Sequence, residues 1–346
     1  MNYKFKKSLG SDNHSGVHPE ILRALMAINH SHSHSYGSDE VTKKSQKLFK
    51  EIVHPEAQSL LVFNGTAANV LSLRPLLKPF QSVLCTDISH LNVDECGAPE
   101  SALGTKLISI PSVDGKIDLT EASKYCIRKG DQHYSQPKVL SITQPTEVGT
   151  CYSLDELGDI RDFCEKHQLD LHIDGARISY APHYLKCSFK EMIDIAKPKT
   201  ISFGGTKNGL LYGEAVLFFG IDITEMKFHR KQLMQLPSKM RFMASQFITF
   251  FENDLYKTIP EHGHKMAKYM EKLLKDEQLL DIAYPVQANS VFPKIPKSWT
   301  KPLKEESFFY IWDENDWVVR WMCSFDTGKE EIENFVQKIR SLKNSD

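Results

Sequence analysis

The 346-residue sequence lacks the features that accompany binding to nucleic acids or membranes. Its 43 lysine and arginine residues nearly balance its 44 aspartate and glutamate residues, so there is no excess of positive charge to attract a nucleic acid or an anionic membrane. No run of about 18 apolar residues is present, and the basic first residues have no apolar core like that of a signal peptide. These absences favour a small-molecule substrate and a cytoplasmic location.

Cysteine pairs and metal-binding patterns are also scarce. The seven cysteines are scattered, and none belongs to a C-x-x-C pair, so we expect reduced thiols instead of a disulfide framework. His30, His32 and His34 alternate with serines in a segment that has no accompanying acid cluster. Because such a segment lacks the usual spacing of metal ligands, no metal site is predicted.

Short apolar segments between residues 58 and 220 are typical of strands in an α/β sheet. Several are apolar throughout, as expected for strands covered on both faces. Between two of them, Ser153 can cap a helix that carries Glu156 three residues later, which predicts a strand–helix–strand unit and a mostly parallel sheet flanked by helices. The segments are SLLVFN, SVLCTD, KLISI, KVLSIT, LDLHIDG, TISFGG and AVLFFG.

The pattern changes after residue 245. Long helical runs are followed by a tryptophan-rich pair of candidate strands, SFFYIWDENDWVVRWMCSFD, and by a closing helix. The chain is also longer than a single core usually supports. We therefore expect a large domain over residues 1–245, with an N-terminal segment that can pack on the other domain, and a smaller α+β domain over residues 246–346.

Lys207 stands among glycines directly after one of the predicted strands, in SFGGTKNG. Ligands of open α/β sheets bind at the carboxyl ends of the strands, and Gly204 and Gly205 permit a close approach of the backbone. A P-loop is disfavoured because the order G-x-x-x-x-G-K-[ST] is absent. A solvated loop lysine is the alternative, but this setting favours a nucleophile toward a carbonyl cofactor such as pyridoxal phosphate.

Pyridoxal phosphate needs an acid at its pyridine nitrogen, an anion site and usually an aromatic group over the ring. Asp174 ends the segment LHIDG and can supply the acid, while His90 follows SVLCT and can lie over the ring. In FNGTAAN a helix start offers N–H groups to a phosphate. A plain helix cap and a structural histidine are the alternatives for these two motifs. The residues of the helix start are Asn64, Gly65, Thr66 and Ala67.

Taken in order, these motifs resemble those of the low-specificity L-threonine aldolases, which use pyridoxal phosphate and have the aspartate-aminotransferase fold, fold type I. The likeness extends over nearly the whole chain and is greatest to the bacterial branch that carries GGTKNG and DECGAPE. The motifs are SDNHSGVHPE, YGSDE, FNGTAAN, DECGAPE, QPTEVGT, HIDGAR, SFGGTKNG, KMRF and VRWMCSFDT.

The resemblance implies a role for each candidate residue. Lys207 would bind the cofactor covalently, Asp174 would pair with the pyridine nitrogen, and His90 would stack on the ring. The phosphate and the rest of the cofactor would be held by Asn64, Gly65, Thr66, Ala67, Arg177, Thr206 and Arg241. The substrate and its carboxylate would be held by Ser11, Tyr36, Arg177 and Arg320, since guanidinium groups bind carboxylates bidentately.

The resemblance also implies an activity and an assembly. The activity is retro-aldol cleavage of L-threonine, L-allo-threonine and related β-hydroxy-α-amino acids to glycine and an aldehyde. The assembly is a homodimer or homotetramer with a shared active site, in which the segments of Tyr36 and Arg241 approach a neighbouring subunit. For Arg241, packing on the helix surface is the alternative. Because the fold hosts several reactions, a β-eliminating lyase, an amino acid racemase and a non-catalytic pyridoxal-phosphate binder remain alternatives.

The base that takes the β-hydroxyl proton is left open by the sequence. Other branches of the family carry a histidine in an ENTH segment, where TQPTE stands here and offers Thr146 or Glu147. His90, directly or through a water molecule, is the first expectation, and Glu95 is a further candidate.

Overall fold

A computed structural model describes residues 6–345 of the chain. The strands are β1 (Gln58–Val62), β2 (Gln81–Thr86), β3 (Lys106–Ile110), β4 (Ser112–Val113), β5 (Lys116–Ile117), β6 (Gln136–Thr143), β7 (Asp170–Gly175), β8 (Thr200–Phe203), β9 (Glu214–Phe218), β10 (Ser290–Val291), β11 (Tyr310–Asp313) and β12 (Val318–Met322). The helices are α1 (Pro19–Ala27), α2 (Glu40–Leu48), α3 (Gly65–Leu73), α4 (His90–Val93), α5 (Ala98–Leu103), α6 (Leu119–Cys126), α7 (Leu154–His167), α8 (Tyr180–Leu185), α9 (Phe189–Ala196), α10 (Met226–Gln232), α11 (Met240–Glu252), α12 (Leu255–Asp276), α13 (Thr300–Glu306) and α14 (Lys329–Lys343).

The central sheet has seven strands in the order β1-β9-β8-β7-β6-β2-β3. Neighbours from β8 through β7, β6 and β2 to β3 are parallel, whereas β9 runs antiparallel to both β1 and β8. Each of the seven apolar segments predicted as a strand contributes one strand to this sheet. The carboxyl ends of the parallel strands consequently meet at one edge, which is where ligands bind in such folds.

Helices enclose the central sheet and bury its apolar side chains. The predicted cap at α7 is present, because Ser153 accepts the N–H of Glu156 and the Glu156 carboxylate accepts the N–H of Ser153. On one side of the sheet, the rings of Phe49, Phe203 and Phe251 form edge-on and tilted contacts with centroids 5.0–6.0 Å apart. This packing fixes the end of β8, from which the loop of Lys207 departs.

A second core surrounds the three-stranded antiparallel sheet β10-β12-β11. The predicted tryptophan-rich pair of strands is β11 and β12, and Trp321 packs edge-on against Phe335 of the closing helix α14. Leu9 belongs to this core, so the N-terminal segment does pack on the C-terminal part. Residue 245 lies within α11, whose Phe247 packs in the first core, and the division into two domains there stays a prediction.

The described part of the chain also bears on two other expectations. Within residues 6–345, no helix is both long and apolar enough to cross a membrane. All seven cysteines lie in this part and are free thiols, as expected.

Candidate active site

A cavity of about 300 Å³ opens at the carboxyl edge of the central sheet. Loops that follow β1, β2, β6, β7 and β8 form its walls, together with the start of β9. The size is sufficient for a small cofactor. Predicted residues from four separate motifs line it, namely Asn64, Gly65, Thr66, His90, Asp174, Arg177, Thr206 and Lys207.

Lys207 reaches the cavity from a short 3-10 turn, Thr206–Asn208, directly after β8. The glycines before it are required by space: a Cβ on Gly204 would lie 2.0 Å from the carbonyl oxygen of Ala176. Burial lowers the pKa of the Lys207 ammonium group, and the positive charge of Arg177 lowers it further. An amine with a lowered pKa is uncharged more often, as a nucleophile must be.

Asp174 is held in a fixed orientation at the end of β7. Its Oδ1 accepts the N–H of Ala176 at 2.9 Å, and its Oδ2 accepts the side-chain amide of Asn69 at 2.9 Å. The carboxylate is 4% exposed and lines the cavity. Asn69 was not identified from the sequence, although it ends the motif FNGTAAN. Its position four residues after Gly65, on the same side of α3, was the available signal.

His90 is anchored from behind by a buried carboxylate. Its Nδ1 lies 2.9 Å from Oε1 of Glu95, and the same oxygen accepts the amide of Asn69 at 2.8 Å. This hydrogen bond raises the pKa of His90, against the opposing effect of burial. Asn69 thus joins Glu95 to Asp174, and the network fixes the histidine relative to the aspartate. The Glu95 side chain is fully enclosed.

The start of α3 lines the same cavity as the lysine. Asn64 caps the helix, because its Oδ1 accepts the N–H of Ala67 at 2.9 Å. The N–H groups of Gly65 and Thr66 belong to the first turn, where no carbonyl of the same helix can accept them. A Cβ on Gly65 would meet no atom within 4 Å, so the space above these donors is open. The helix cap is therefore present and uses the Ala67 N–H, while the phosphate site at Gly65 and Thr66 stays a prediction.

Arg177 lines the cavity but is paired with a residue that the sequence did not single out. Its Nε lies 2.5 Å from Oδ2 of Asp12, and its Nη2 lies 2.9 Å from Oδ1. Burial opposes ionisation of Asp12, but the charge and hydrogen bonds of Arg177 outweigh it, and the net effect lowers the pKa of Asp12. The two residues are 165 positions apart in sequence, so no local pattern could reveal the pair.

The other two predicted carboxylate ligands lie next to this pair. Arg320 donates from Nη2 to the carbonyl oxygen of Gly10 at 3.1 Å, and its buried Nε has no acceptor within residues 6–345. Burial lowers the pKa of the Arg320 guanidinium, and the nearby positive charge of Arg177 lowers it further. Ser11 is buried and caps the short turn that contains Asp12.

Two further predicted residues, like Ser11, Ala67 and Arg320, are not among the residues that line the cavity. Tyr36 is 50% exposed, and its N–H donates to the carbonyl of Ser238. Arg241 donates from Nη2 to the carbonyl of Ser31 at 3.3 Å. Because both were expected to act across a subunit interface, their roles stay predictions.

Two buried carboxyl groups in the cavity wall complete the site. Burial raises the pKa of Glu147 to about 7 and that of Glu214 to about 7. Glu214 accepts the backbone N–H groups of Gly205 and Thr206 at 2.5 and 3.4 Å, which fixes the loop before Lys207. Glu214 begins an apolar strand, and nothing in the sequence distinguished it from an exposed glutamate.

The arrangement fits pyridoxal phosphate by its geometry and electrostatics. The cavity joins a buried lysine of lowered pKa, a carboxylate held by two donors and an open helix N-terminus. These are the nucleophile, the partner of a pyridine nitrogen and the site for a phosphate that this cofactor needs.

Comparisons with known proteins agree with this architecture. Residues 8–297 match the beta-eliminating lyase family. The low specificity L-threonine aldolase of Pseudomonas aeruginosa is 35% identical over 336 residues, which cover 96% of this chain and 97% of that protein. The enzyme of the same name from a Pseudomonas species is 35% identical over 338 residues, or 97% and 98% of the two chains.

Solved structures give the same answer for the fold. A threonine aldolase from Leishmania major superposes with a TM-score of 0.90 and 26% identity, covering 97% of this chain and 99% of that one. An aromatic aminotransferase from Pyrococcus horikoshii superposes with a TM-score of 0.71 at 17% identity, covering 100% and 97%, and shows the fold alone. The chain therefore has fold type I, as predicted, and belongs to the beta-eliminating lyase family, among the low-specificity L-threonine aldolases.

Proposed function

We propose that the protein cleaves L-threonine, L-allo-threonine and related β-hydroxy-α-amino acids to glycine and an aldehyde, with pyridoxal phosphate as cofactor. The observation that carries the proposal is the meeting of Lys207, Asp174 and His90 in one cavity, in a chain 35% identical to low-specificity L-threonine aldolases over nearly its full length.

Different residues of the cavity would bind the cofactor and activate it. Lys207 would hold it covalently, His90 would lie against the ring, and Gly65 and Thr66 would bind the phosphate through the first N–H groups of α3. Pyridoxal phosphate, when bound, supplies an electron-poor ring that accepts the electron pair of the broken Cα–Cβ bond. Asp174 keeps a proton on the ring nitrogen, and Asn69 keeps Asp174 in place.

Arg177, Arg320 and Ser11 hold the substrate carboxylate. The bonds to Asp12 use Nε and Nη2 of Arg177. Within residues 6–345, Nη1 makes no hydrogen bond, so it can donate to a substrate. Arg320 offers its buried Nε in the same way. Two guanidinium groups fix the direction of the Cα–Cβ bond relative to the ring, and this orientation matters more for the rate than affinity alone.

The candidates for the β-hydroxyl base can be reduced from four to two. Glu95 is excluded because its carboxylate is the partner of the His90 ring and its side chain has no exposed surface, although its Oε2, like that of Glu147, has no hydrogen-bond partner within residues 6–345. The Thr146 hydroxyl is buried and bonded to Thr150 Oγ1 at 2.7 Å. All four residues line the cavity, but His90 and Glu147 remain, because the His90 ring is partly exposed and Oε2 of Glu147 has no hydrogen-bond partner within residues 6–345.

We also propose a homodimer or homotetramer with a shared active site, located in the cytoplasm. Apolar side chains at the cavity mouth support the assembly: Phe63 and Tyr212 are each 37% exposed and Leu211 is 46% exposed. A second subunit over this edge would bury them and bring other groups to the cavity. The free thiols suit a reducing compartment.

The experiment is incubation of the purified protein with pyridoxal phosphate and L-threonine. We expect equal amounts of glycine and acetaldehyde, the latter measured with an alcohol dehydrogenase and reduced nicotinamide cofactor. Pyruvate and ammonia from L-serine, without cleavage of threonine, would favour β-elimination, and D-alanine from L-alanine would favour racemisation. Cofactor absorbance without turnover of any of these amino acids would indicate a non-catalytic binder.

A further inference from the structure

Glu147, a buried carboxyl in the cavity wall, has hydrogen-bond partners at only one of its two oxygens within residues 6–345. Its Oε1 accepts the Thr143 hydroxyl at 2.7 Å and the backbone N–H of His90 at 3.0 Å. Its Oε2 is buried and has no hydrogen-bond partner within residues 6–345. A buried, unpaired carboxyl oxygen is costly, so a group that lines a ligand cavity in this way calls for a partner from the ligand.

The two donors on Oε1 determine where a proton can be. The backbone N–H of His90 can only donate, whereas the Thr143 hydroxyl can donate or accept. When both donate to Oε1, the proton of the neutral acid resides on Oε2. Oε2 is thus the atom at which Glu147 can take up or release a proton. The Thr143 hydroxyl and the His90 backbone N–H fix the orientation of the Glu147 carboxyl group. Proton transfer to or from Glu147 therefore occurs at one defined position in the cavity wall.

Burial has a larger effect on the pKa of Glu147 than its charged and titratable neighbours have. Burial raises its pKa to about 7, and the negative charge of Asp174 on β7 adds to the effect, whereas the donors on Oε1 oppose it. The other titratable groups that sense its charge are Cys85 on β2 and Tyr152 after β6, both buried and neutral, and the adjacent His90 supplies its backbone N–H.

His90 is less suited to the same task. Its Nδ1 is bonded to the enclosed Glu95, and this bond raises its pKa, which favours the protonated ring over the neutral base. A ring packed against the cofactor also has its position fixed by stacking. Glu147 combines a pKa near neutrality with an unpaired oxygen, which are the two properties of a general base or acid at neutral pH.

We propose that Glu147 Oε2 is the group that accepts the β-hydroxyl proton of the substrate during cleavage. This rests on the proposed aldolase function. The O–H bond breaks and its proton passes to Oε2, while the O–H electron pair becomes the second bond of the aldehyde carbonyl. The Cα–Cβ bond breaks, and its electron pair stays on the glycine fragment until Cα takes up a proton. Glu147 then returns its proton to solvent.

The test compares the wild-type holoenzyme with Glu147→Gln, which keeps the shape of the side chain and removes the titratable group. A matched control is Glu165→Gln, at an exposed position of α7 that does not line the cavity. Two reactions are measured for each protein: cleavage of L-threonine, and exchange of the α-proton of glycine in deuterated water, followed by proton NMR. Only the first requires proton transfer at a β-oxygen.

We expect Glu147→Gln to lower kcat for threonine cleavage by roughly 100-fold or more, the usual contribution of a general base. KM and glycine exchange should stay within about threefold of wild type, and the rise of kcat/KM through pH 7 should disappear. The Glu165→Gln control should match wild type in all of these. As a readout apart from activity, the infrared carbonyl band of a protonated carboxyl that titrates near pH 7 should weaken in Glu147→Gln.

Two results would overturn the assignment. Threonine cleavage within about fivefold of wild type in Glu147→Gln would mean that His90 or water takes the proton. An equal loss of cleavage and glycine exchange would mean that Glu147 supports the site as a whole. If the wild type binds cofactor but does not cleave threonine, the proposed function fails and this role fails with it; the first two results leave the function intact.

Discussion

The buried pair of Asp12 and Arg177 should contribute strongly to both folding and the shape of the substrate site. Asp12 is 3% exposed and accepts both Nε and Nη2 of Arg177. Removal of one member of a buried pair leaves an uncompensated charge and typically costs about 3–5 kcal/mol. We therefore expect Asp12→Asn to lower the free energy of unfolding by about 3 kcal/mol, since asparagine keeps the volume and one acceptor.

The assay is a double-mutant cycle with Asp12→Asn, Arg177→Met and the double variant. Urea unfolding is measured at one protein concentration, because subunit association adds to apparent stability. A coupling energy of about 2–3 kcal/mol is expected for residues in direct contact. In the folded state the pKa of Asp12 lies below its ordinary value of 3.8. The stabilisation that Asp12 contributes is therefore fully present above pH 3.8, and it is lost as the pH falls through the lower pKa of the folded state. A coupling energy under about 0.5 kcal/mol, or no convergence of wild type and Asp12→Asn in acid, would refute the reasoning.

Three further predictions concern Glu214, Gly204 and Asn69. Burial raises the pKa of Glu214 from 4.5 to about 7, so this group lowers wild-type stability as the pH rises from 4.5 through 7, by about 3 kcal/mol at about 1.4 kcal/mol per pH unit. Because Glu147 has a similar shift, Glu214→Gln should reduce the fall in stability between pH 5 and 8 in urea unfolding without abolishing it, and parallel pH dependences of the two proteins would contradict this. Gly204→Ala should lower the free energy of unfolding by about 3 kcal/mol or more, because the added Cβ would lie 2.0 Å from a backbone oxygen. The control Gly158→Ala, which has open space on α7, should be neutral or stabilising, and equal thermal stabilities of the two variants would argue against the clash. Asn69→Ala should weaken pyridoxal-phosphate binding about tenfold in a fluorescence titration, because a donor to a carboxylate is lost, and unchanged affinity would show that Asp174 does not depend on it.

The parts of the fold and site that local chemistry determines could be predicted from the sequence. Strands covered on both faces must be apolar throughout, which identified all seven strands of the central sheet. Residues that follow parallel strands must meet at one edge, which is why Lys207, Asp174 and His90 could be assigned to one site from their positions after predicted strands. The cap at Ser153 was visible for the same reason, because its partner Glu156 is three residues away.

The contacts that depend on distant parts of the chain could not be predicted. The partner of Arg177 is 165 residues away, and the antiparallel insertion of β9 between β1 and β8 leaves no trace in its apolar sequence. Asn69 and Glu214 act through burial, and a single polar residue at the edge of an apolar segment looks the same whether it is enclosed or solvated. The roles predicted for Tyr36 and Arg241 involve a second chain and stay predictions.

The covalent role of Lys207 is the central claim of this account. Its most direct test is borohydride treatment of the protein in the presence of pyridoxal phosphate, followed by mass spectrometry of the peptides and by visible spectra of wild type, Lys207→Ala and the exposed-lysine control Lys227→Ala. We predict that the label lies on Lys207, that Lys207→Ala loses both the lysine-linked absorption band and threonine cleavage, and that Lys227→Ala keeps both. A label on another lysine, or an alanine variant at position 207 with a normal band and normal turnover, would contradict the account.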